Sequence, residues 1–349
     1  MIDVLNQTRA EYLQEMEIYG VPSGPAQNRV GFYLLDTFGM LPFISALEPL
    51  RAANRYSGKN LFSWHFYSET GQPALCNNGM TVPVEASIEN ASDLQSIIVC
   101  GPHDPQRPAS ENTYLPLRRL AAEGVKLGAL DTGTFLLARA NLIKEHDRCT
   151  VHWENLAGFK EEFPSLEVTN ELFEIQDNLF TCAGGGAALD MMLTMMREDL
   201  GNEMASRVSD LFVRSNIRQG NEPQRMDVQH RHGVYHKGMV ECIELMEANI
   251  EQPLTTQELA NCIDISKRQL ERLFRAHLQT TPTSYYQGLR LKESKRLLEQ
   301  TTLSVVEVAV ACGFLSAGHF SKRFRLKYGC TPRAARENYA NRVGTSSSV

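Results

Sequence analysis

The chain has 349 residues, 42% hydrophobic and 22% charged, with 35 Lys and Arg against 41 Asp and Glu for a net charge of −6. That length and balance suit about two domains, each with its own core. They come with no run near the ~18 uninterrupted apolar residues of a membrane span and with an opening stretch, residues 1–28, that carries Asp3, Glu11, Glu15 and Glu17 and no secretory signal, so the expected location is the cytoplasm.

Residues 1–28 read as an N-terminal extension. From residue 29, short apolar runs alternate with helical patterns. RVGFYLLD (29–36) leads into LPFISALEPLRAANRY, SIIVCG occupies 96–101, and KLGALD (126–131) leads into FLLARANL. Strands alternating with helices predict an α/β domain over 29–212, a mostly parallel, flavodoxin-like sheet flanked by helices on both faces. LFEIQDNLFTCAGG reads as a hairpin turning at Asp177 and Asn178, and ALDMMLTMMREDLG as a long helix whose methionines fill the core. The eight cysteines are scattered with no C-x-x-C pair. They read as free thiols, with neither disulfides nor a zinc site expected.

The stretch KLGALDTGTFLLARANL (126–142) is a strand, a tight turn and a helix. That is where α/β enzymes lift a nucleophile from the sheet. Here the position holds Asp131, followed by Thr132. One reading is an enzyme with a carboxylate nucleophile, with His103 or His152 activating water. Cys100 ends a buried strand and reads as an inert packed thiol. A second reading makes Asp131 only a helix N-cap. The third is a binding crevice at the carboxyl ends of the strands, where parallel sheets hold ligands. Three strands end there, in Asp36, in Gly101 to His103, and in Asp131. The helix start should keep Asp131 ionised and offer the N–H groups of Gly133 and Thr134 to a ligand carboxylate. Trp153, one of two tryptophans and adjacent to His152, would wall the site and face a cation.

Residues 213–235 are polar and contain Gly220 and Pro223, which predicts a linker. His230, His232 and His236 have no carboxylate or thiol at ligand spacing and read as solvated hinge residues, so no metal is expected. Beyond it the charge reverses. From Arg231 to the end there are 17 Lys and Arg against 11 Asp and Glu, and within 266–342 the balance is 15 to 5, or +10. An acidic body with a basic tail domain points to nucleic acid.

The basic half is wholly helical in pattern, and it repeats. LTTQELANCIDISKRQLERLFRAHLQTTP (254–282) aligns with LSVVEVAVACGFLSAGHFSKRFRLKYGCTP (303–332). Thr255 and Glu258 match Ser304 and Glu307 at a spacing of 49, each a capping box. Ser266, Leu270, Phe274 and Pro282 match Ser316, Phe320, Phe324 and Pro332 at a spacing of 50, so the second turn holds one extra residue near Gly313. Each copy is a short helix, a turn and a second helix, the layout of a helix-turn-helix. Leu270, Leu273 and Phe274 should face inward in one copy, and Phe320 and Phe324 in the other. The opposite faces carry Lys267, Arg268, Glu271, Arg272 and Arg275, and Gly318, Ser321, Lys322 and Arg325. Arg and Lys there suit phosphate oxygens and guanine acceptors.

The basic domain is expected over 236–340, and residues from about 236 to 336 closely resemble the DNA-binding domain of the AraC/XylS family of bacterial transcription regulators. The resemblance rests on Gly313-Phe314, the run Ser316 to Phe324, and Gly329 to Pro332. It implies two readers entering successive major grooves of double-stranded DNA, with Arg268, Glu271 and Arg272 facing bases in the first. Ala317, Gly318, Ser321 and Lys322 hold the corresponding places in the second, where Ala317 and Gly318 have little to hydrogen-bond with. Residues 29–200 resemble the class I glutamine amidotransferase-like (ThiJ/PfpI) domain that precedes the DNA-binding domain in one AraC subgroup. VGFYLLD, SIIVCG, the LDTGTFLLARANL elbow, CTVHWE and FTCAGGGAALDMML carry that match, which implies that Glu48 occupies the acidic position beside the elbow. Catalytic relatives place Cys there, often followed by His. Asp131 and Thr132 in their stead imply a sensor domain without catalysis. Regulators of this arrangement respond to amino acids and to methylated amines such as glycine betaine, dimethylglycine or carnitine. The expectation is a ligand-responsive activator that is not an enzyme, has no cofactor, and works as a homodimer with RNA polymerase. Asp131, Thr132, Glu48, Asp36, His103, His152 and Trp153 form its candidate ligand set. The alternative is a hydrolase-type enzyme using Asp131, fused to a DNA-binding domain.

Overall fold

The computed structural model describes residues 19–22, 24–105 and 109–345, which form two compact units divided between Gln224 and Arg225. Most of the expected N-terminal extension, 1–28, lies outside the described residues.

The first unit is built on one seven-stranded sheet. Its strands are β1 (Asn28–Leu34), β2 (Phe62–Ser68), β3 (Ala86–Ser87), β4 (Ser96–Cys100), β5 (Lys126–Leu130), β6 (Phe173–Ile175) and β7 (Leu179–Cys182). They lie in the order β6-β7-β5-β4-β1-β2-β3, all parallel except the edge strand β6, which runs antiparallel to β7. The winding reverses beside β1, with β2 on one side and β4 on the other, and so leaves a switch point between β1 and β4. Sequence spacing picks out β1, β4, β5 and the hairpin. It does not pick out β2, although Phe62, Trp64 and Phe66 alternate toward one face.

Alternation along each central strand explains why both faces are covered. Tyr33, Ile97, Val99, Leu127 and Ala129 enter one core, with Leu117 of α2 (Glu111–Ala122), Phe135 of α3 (Gly133–Arg139) and Phe159 of α4 (Leu156–Glu162). Phe32, Leu34, Ile98, Cys100 and Leu130 enter the other, with Phe43 of α1 (Met40–Ser57) and Met191 and Met192 of α5 (Ala187–Leu200). The methionines are therefore core, as their spacing predicts. Phe43 stacks edge-on against Phe32, Phe38 and the half-buried Phe66 at 5.4–5.5 Å, and burying a ring as fully as Phe32, Phe38 or Phe43 contributes about 1.5–3 kcal/mol. A further helix, α6 (Asn202–Leu211), packs on α1 through Val208, Ala52 and Ala53.

The stretch expected as a linker divides. Residues 213–224 dock on the first unit. Leu172 N–H donates to Gly220 O at 2.8 Å, Glu171 bridges Pro223, and the buried Asp190 holds Arg214 and Arg218. Arg225 and beyond belong to the second unit, where α7 (Val228–His232) is capped by Asp227. The hinge is thus shorter than the polar composition suggests, because polar residues here pair over long range with the sheet domain.

The second unit is all helix: α8 (Lys237–Ala248), α9 (Thr256–Cys262), α10 (Lys267–Leu278), α11 (Pro282–Gln300), α12 (Val305–Ala311), α13 (Ala317–Tyr328) and α14 (Pro332–Thr345). The capping boxes at Thr255/Glu258 and Ser304/Glu307 both form, and Ser266/Gln269 adds a third. Leu270, Phe274, Phe320 and Phe324 are fully buried, while Leu273 is half-buried at the edge of the first core. The turns between the paired helices pivot on left-handed residues 49 apart, Asp264 (φ 53°) and Gly313 (φ 69°).

Candidate functional site

At the end of β5 the backbone turns sharply, and Asp131 adopts φ 56°, a left-handed conformation that costs a non-glycine residue energy and collects at functional sites. Two close approaches allow it. Gly133 lies so near β4 that a Cβ there would stand 2.2 Å from Val99 O, and a Cβ on Gly184 (φ 92°) would stand 2.9 Å from Asp131 Cβ. Asp131 N–H is held by Cys182 O at 2.9 Å. The carboxyl is half-buried. Burial pushes it up from the ordinary carboxylate value, while nearby His152 and then His103 pull it back and Glu154 pushes with burial. Three expectations change here. Asp131 is not the N-cap; Thr132 holds that place without a side-chain cap bond, its hydroxyl donating to Pro102 O. The helix start does not dominate Asp131, because burial outweighs it. Gly133 and Thr134 are buried, and the Thr134 hydroxyl donates to Thr150 O, so they present no open N–H cradle. Glu48 lies in α1 and pairs with Arg51 at 2.6 Å.

The remaining ligand candidates fall in two places. His103 and His152 act on Asp131 electrostatically, and the Trp153 ring lies 5.6 Å from that of His152. Asp36 lies instead on a neighbouring cavity of about 170 Å³ at the switch point, with Leu34, Glu69, Pro102, Thr113 and Arg139. The cavity adjoins the elbow, since Arg139 is on α3 and Pro102 O accepts from Thr132. Glu69, held by the Ser110 and Thr113 hydroxyls at 2.8 Å, is a carboxylate that sequence spacing misses. Cys100 and Cys182 are buried, and burial raises both thiols, Cys182 to about 12. Neither is an activated nucleophile. Among the described residues no group of three or more His, Cys, Asp or Glu is placed to hold a metal.

In the second unit, α10 and α13 present matched faces. With 3.6 residues per turn, burying Leu270 and Phe274 turns Arg268, Arg272 and Arg275 outward. Burying Phe320 and Phe324 does the same for Gly318, Lys322 and Arg325. All six are exposed, with Lys267; Glu271, Ala317 and Ser321 are half-buried beside them. Other basic residues of this unit serve the fold. Arg290 donates to Cys312 O and Gly313 O and stacks on Phe314 at 4.2 Å, and Arg336 donates to Leu298 O. Helix α11, whose 19 residues span about 28 Å, joins the two motifs.

The model of a helix-turn-helix domain matches residues 259–338. The chain is 41% identical over 320 residues to the HTH-type transcriptional regulator GbdR of Pseudomonas aeruginosa, covering 90% of this chain and 87% of that protein. It is 42% identical over 301 residues to the HTH-type transcriptional regulator CdhR of the same species, covering 86% and 89%. A solved AraC family transcriptional regulator from Pseudomonas putida is 28% identical, covers 53% of this chain and 99% of that one, and superposes with a TM-score of 0.48. The relatives are transcription regulators, and so is this chain, which is not an enzyme. No helix among the described residues is long and apolar enough to cross a membrane. With two helix-turn-helix motifs behind an α/β unit, and full-length relatives that regulate transcription, the chain belongs to the AraC family of DNA-binding transcription regulators.

Proposed function

We propose that the first unit is a sensor for a small cationic or zwitterionic amine, such as a betaine, and that its occupancy sets how the second unit engages DNA. The observation that carries this reading is the strained Asp131 facing His103 and His152 at the carboxyl end of the sheet, beside a cavity whose polar wall includes Asp36 and Glu69. A carboxylate-rich crevice with Trp153 nearby suits a cation, which gains ~0.5–2 kcal/mol over an aromatic face. On DNA, α10 and α13 enter successive major grooves, and Lys267, Arg268, Glu271, Arg272, Arg275, Ala317, Gly318, Ser321, Lys322 and Arg325 line the contact. The regulator acts in the cytoplasm as a homodimer and activator that meets RNA polymerase at genes of amine or amino-acid catabolism. A hydrolase reading through Asp131 is not favoured, since the whole-length relatives are regulators.

Calorimetry with glycine betaine tests the sensor. Asp131→Asn and Trp153→Ala should each weaken binding, and wild-type affinity should rise with pH as Asp131 ionises above the usual carboxylate range. Because its folded-state value is raised, Asp131 favours the folded state below its ordinary value and loses that contribution as pH rises through the raised one. Asp131→Asn should therefore gain thermal stability over wild type as pH increases across that window. Affinity indifferent to both substitutions, or tight binding of a dianion instead, would remove the elbow from the ligand site.

A further inference from the structure

The strap Val213–Gln224 is pinned at both ends to segments that flank Asp131. At its start, Asp190 is 0% exposed, and its carboxylate takes Arg214 at 2.6 Å, Arg218 at 2.7–2.8 Å and the Arg218 backbone N–H at 3.0 Å. Asp190 sits in the first turn of α5, directly after the Gly184–Gly186 loop that touches Asp131. At its end, the Gln224 amide Nε2 donates to Thr150 Oγ1, Val151 O and Glu171 O at 2.9–3.1 Å. Val151 precedes His152, and Thr150 O accepts from Thr134 of the elbow helix. Three acceptors around Nε2 fix which way the amide points. Its Oε1 is then buried without a partner, a cost that a shifted arrangement could relieve. Gln224 is also the last residue of the first unit.

We infer that Gln224 is the positioning residue that couples the elbow to the DNA-binding unit: a change at Asp131 moves the Gly184–Gly186 loop and the Thr150–Trp153 segment, and the strap carries that movement to Arg225. This rests on the sensor reading above. Coupling of this kind needs an element with two arrangements that the ligand favours unequally, and the orphaned Oε1 of Gln224 is the group that a second arrangement would satisfy.

Hydrogen exchange on the full chain tests it without knowledge of the effector. The Leu172 amide, bound to Gly220 O, and the Arg218 amide, bound to Asp190, report the strap directly. Gly184→Ala, which drives a methyl against Asp131, serves as the elbow perturbation. It should speed exchange at Leu172, Arg218 and residues 225–232 by roughly ten-fold or more, while β4 stays protected. In a Gln224→Glu background, where a carboxylate faces three oxygens, Leu172 should already exchange fast, and Gly184→Ala should no longer alter residues 225–232. Gln224→Ala gives the same comparison without the added charge. Strap amides at wild-type rates in Gly184→Ala, or effects of the two substitutions that simply add, would overturn the inference. Glycine betaine is added in a separate arm; if it fails to bind wild type, the ligand class falls while the double-substitution comparison still judges the strap.

Discussion

The two helix-turn-helix copies share a scaffold and differ in what they show to solvent. Leu270 and Phe274 in one, and Phe320 and Phe324 in the other, are all fully buried, and each motif starts on a capping box. On the outer faces, Lys267, Arg268, Glu271 and Arg272 stand against Ala317, Gly318, Ser321 and Lys322. Positions that make the motif are kept, because packing leaves little choice of volume. Positions on the exposed face are free to diverge, and the two copies are expected to contribute unequally to recognition.

The largest effects should test the shared scaffold. Phe274→Ala and Phe324→Ala should each cost about 3–5 kcal/mol in denaturant unfolding of the second unit. Similar losses would support equivalent copies; one loss far below the other would mean that only one motif is held by its core. Next comes the outer face. Arg272→Ala should weaken binding to a specific site by ~1–3 kcal/mol and relax discrimination at one base pair, whereas Lys322→Ala should weaken all sequences alike and lower the salt slope by about 1. Equal loss of discrimination from both would erase the asymmetry. The smallest effect should come from Gly318, which faces open space on an exposed helix. Gly318→Ala should stabilise by ~0.5–1 kcal/mol with unchanged DNA discrimination, and a loss of discrimination would show that the second copy needs close backbone approach at that point.

The sequence by itself determined what depends on neighbours in the chain. Caps three residues apart, apolar residues at i and i+4, and the 49- and 50-residue offsets were enough for both motifs and for which faces they bury. Apolar runs were enough for β1, β4 and β5, and the strand-turn-helix around Asp131 was enough to locate the elbow. Tertiary structure decided the rest, where partners lie far apart. Glu48 pairs with Arg51 one turn along its own helix. The protonation bias of Asp131 depends on burial and on His103 and His152, which approach from separate loops. Glu69 joins the cavity through Ser110 and Thr113, more than 40 residues away. Gln224 reaches Thr150 across 74 residues, so a stretch with the composition of a linker became a strap. Local periodicity encodes which face a residue takes, because one turn or one pleat settles it. Which distant polar group a side chain meets is set only when the sheet order and crossovers bring their ends together.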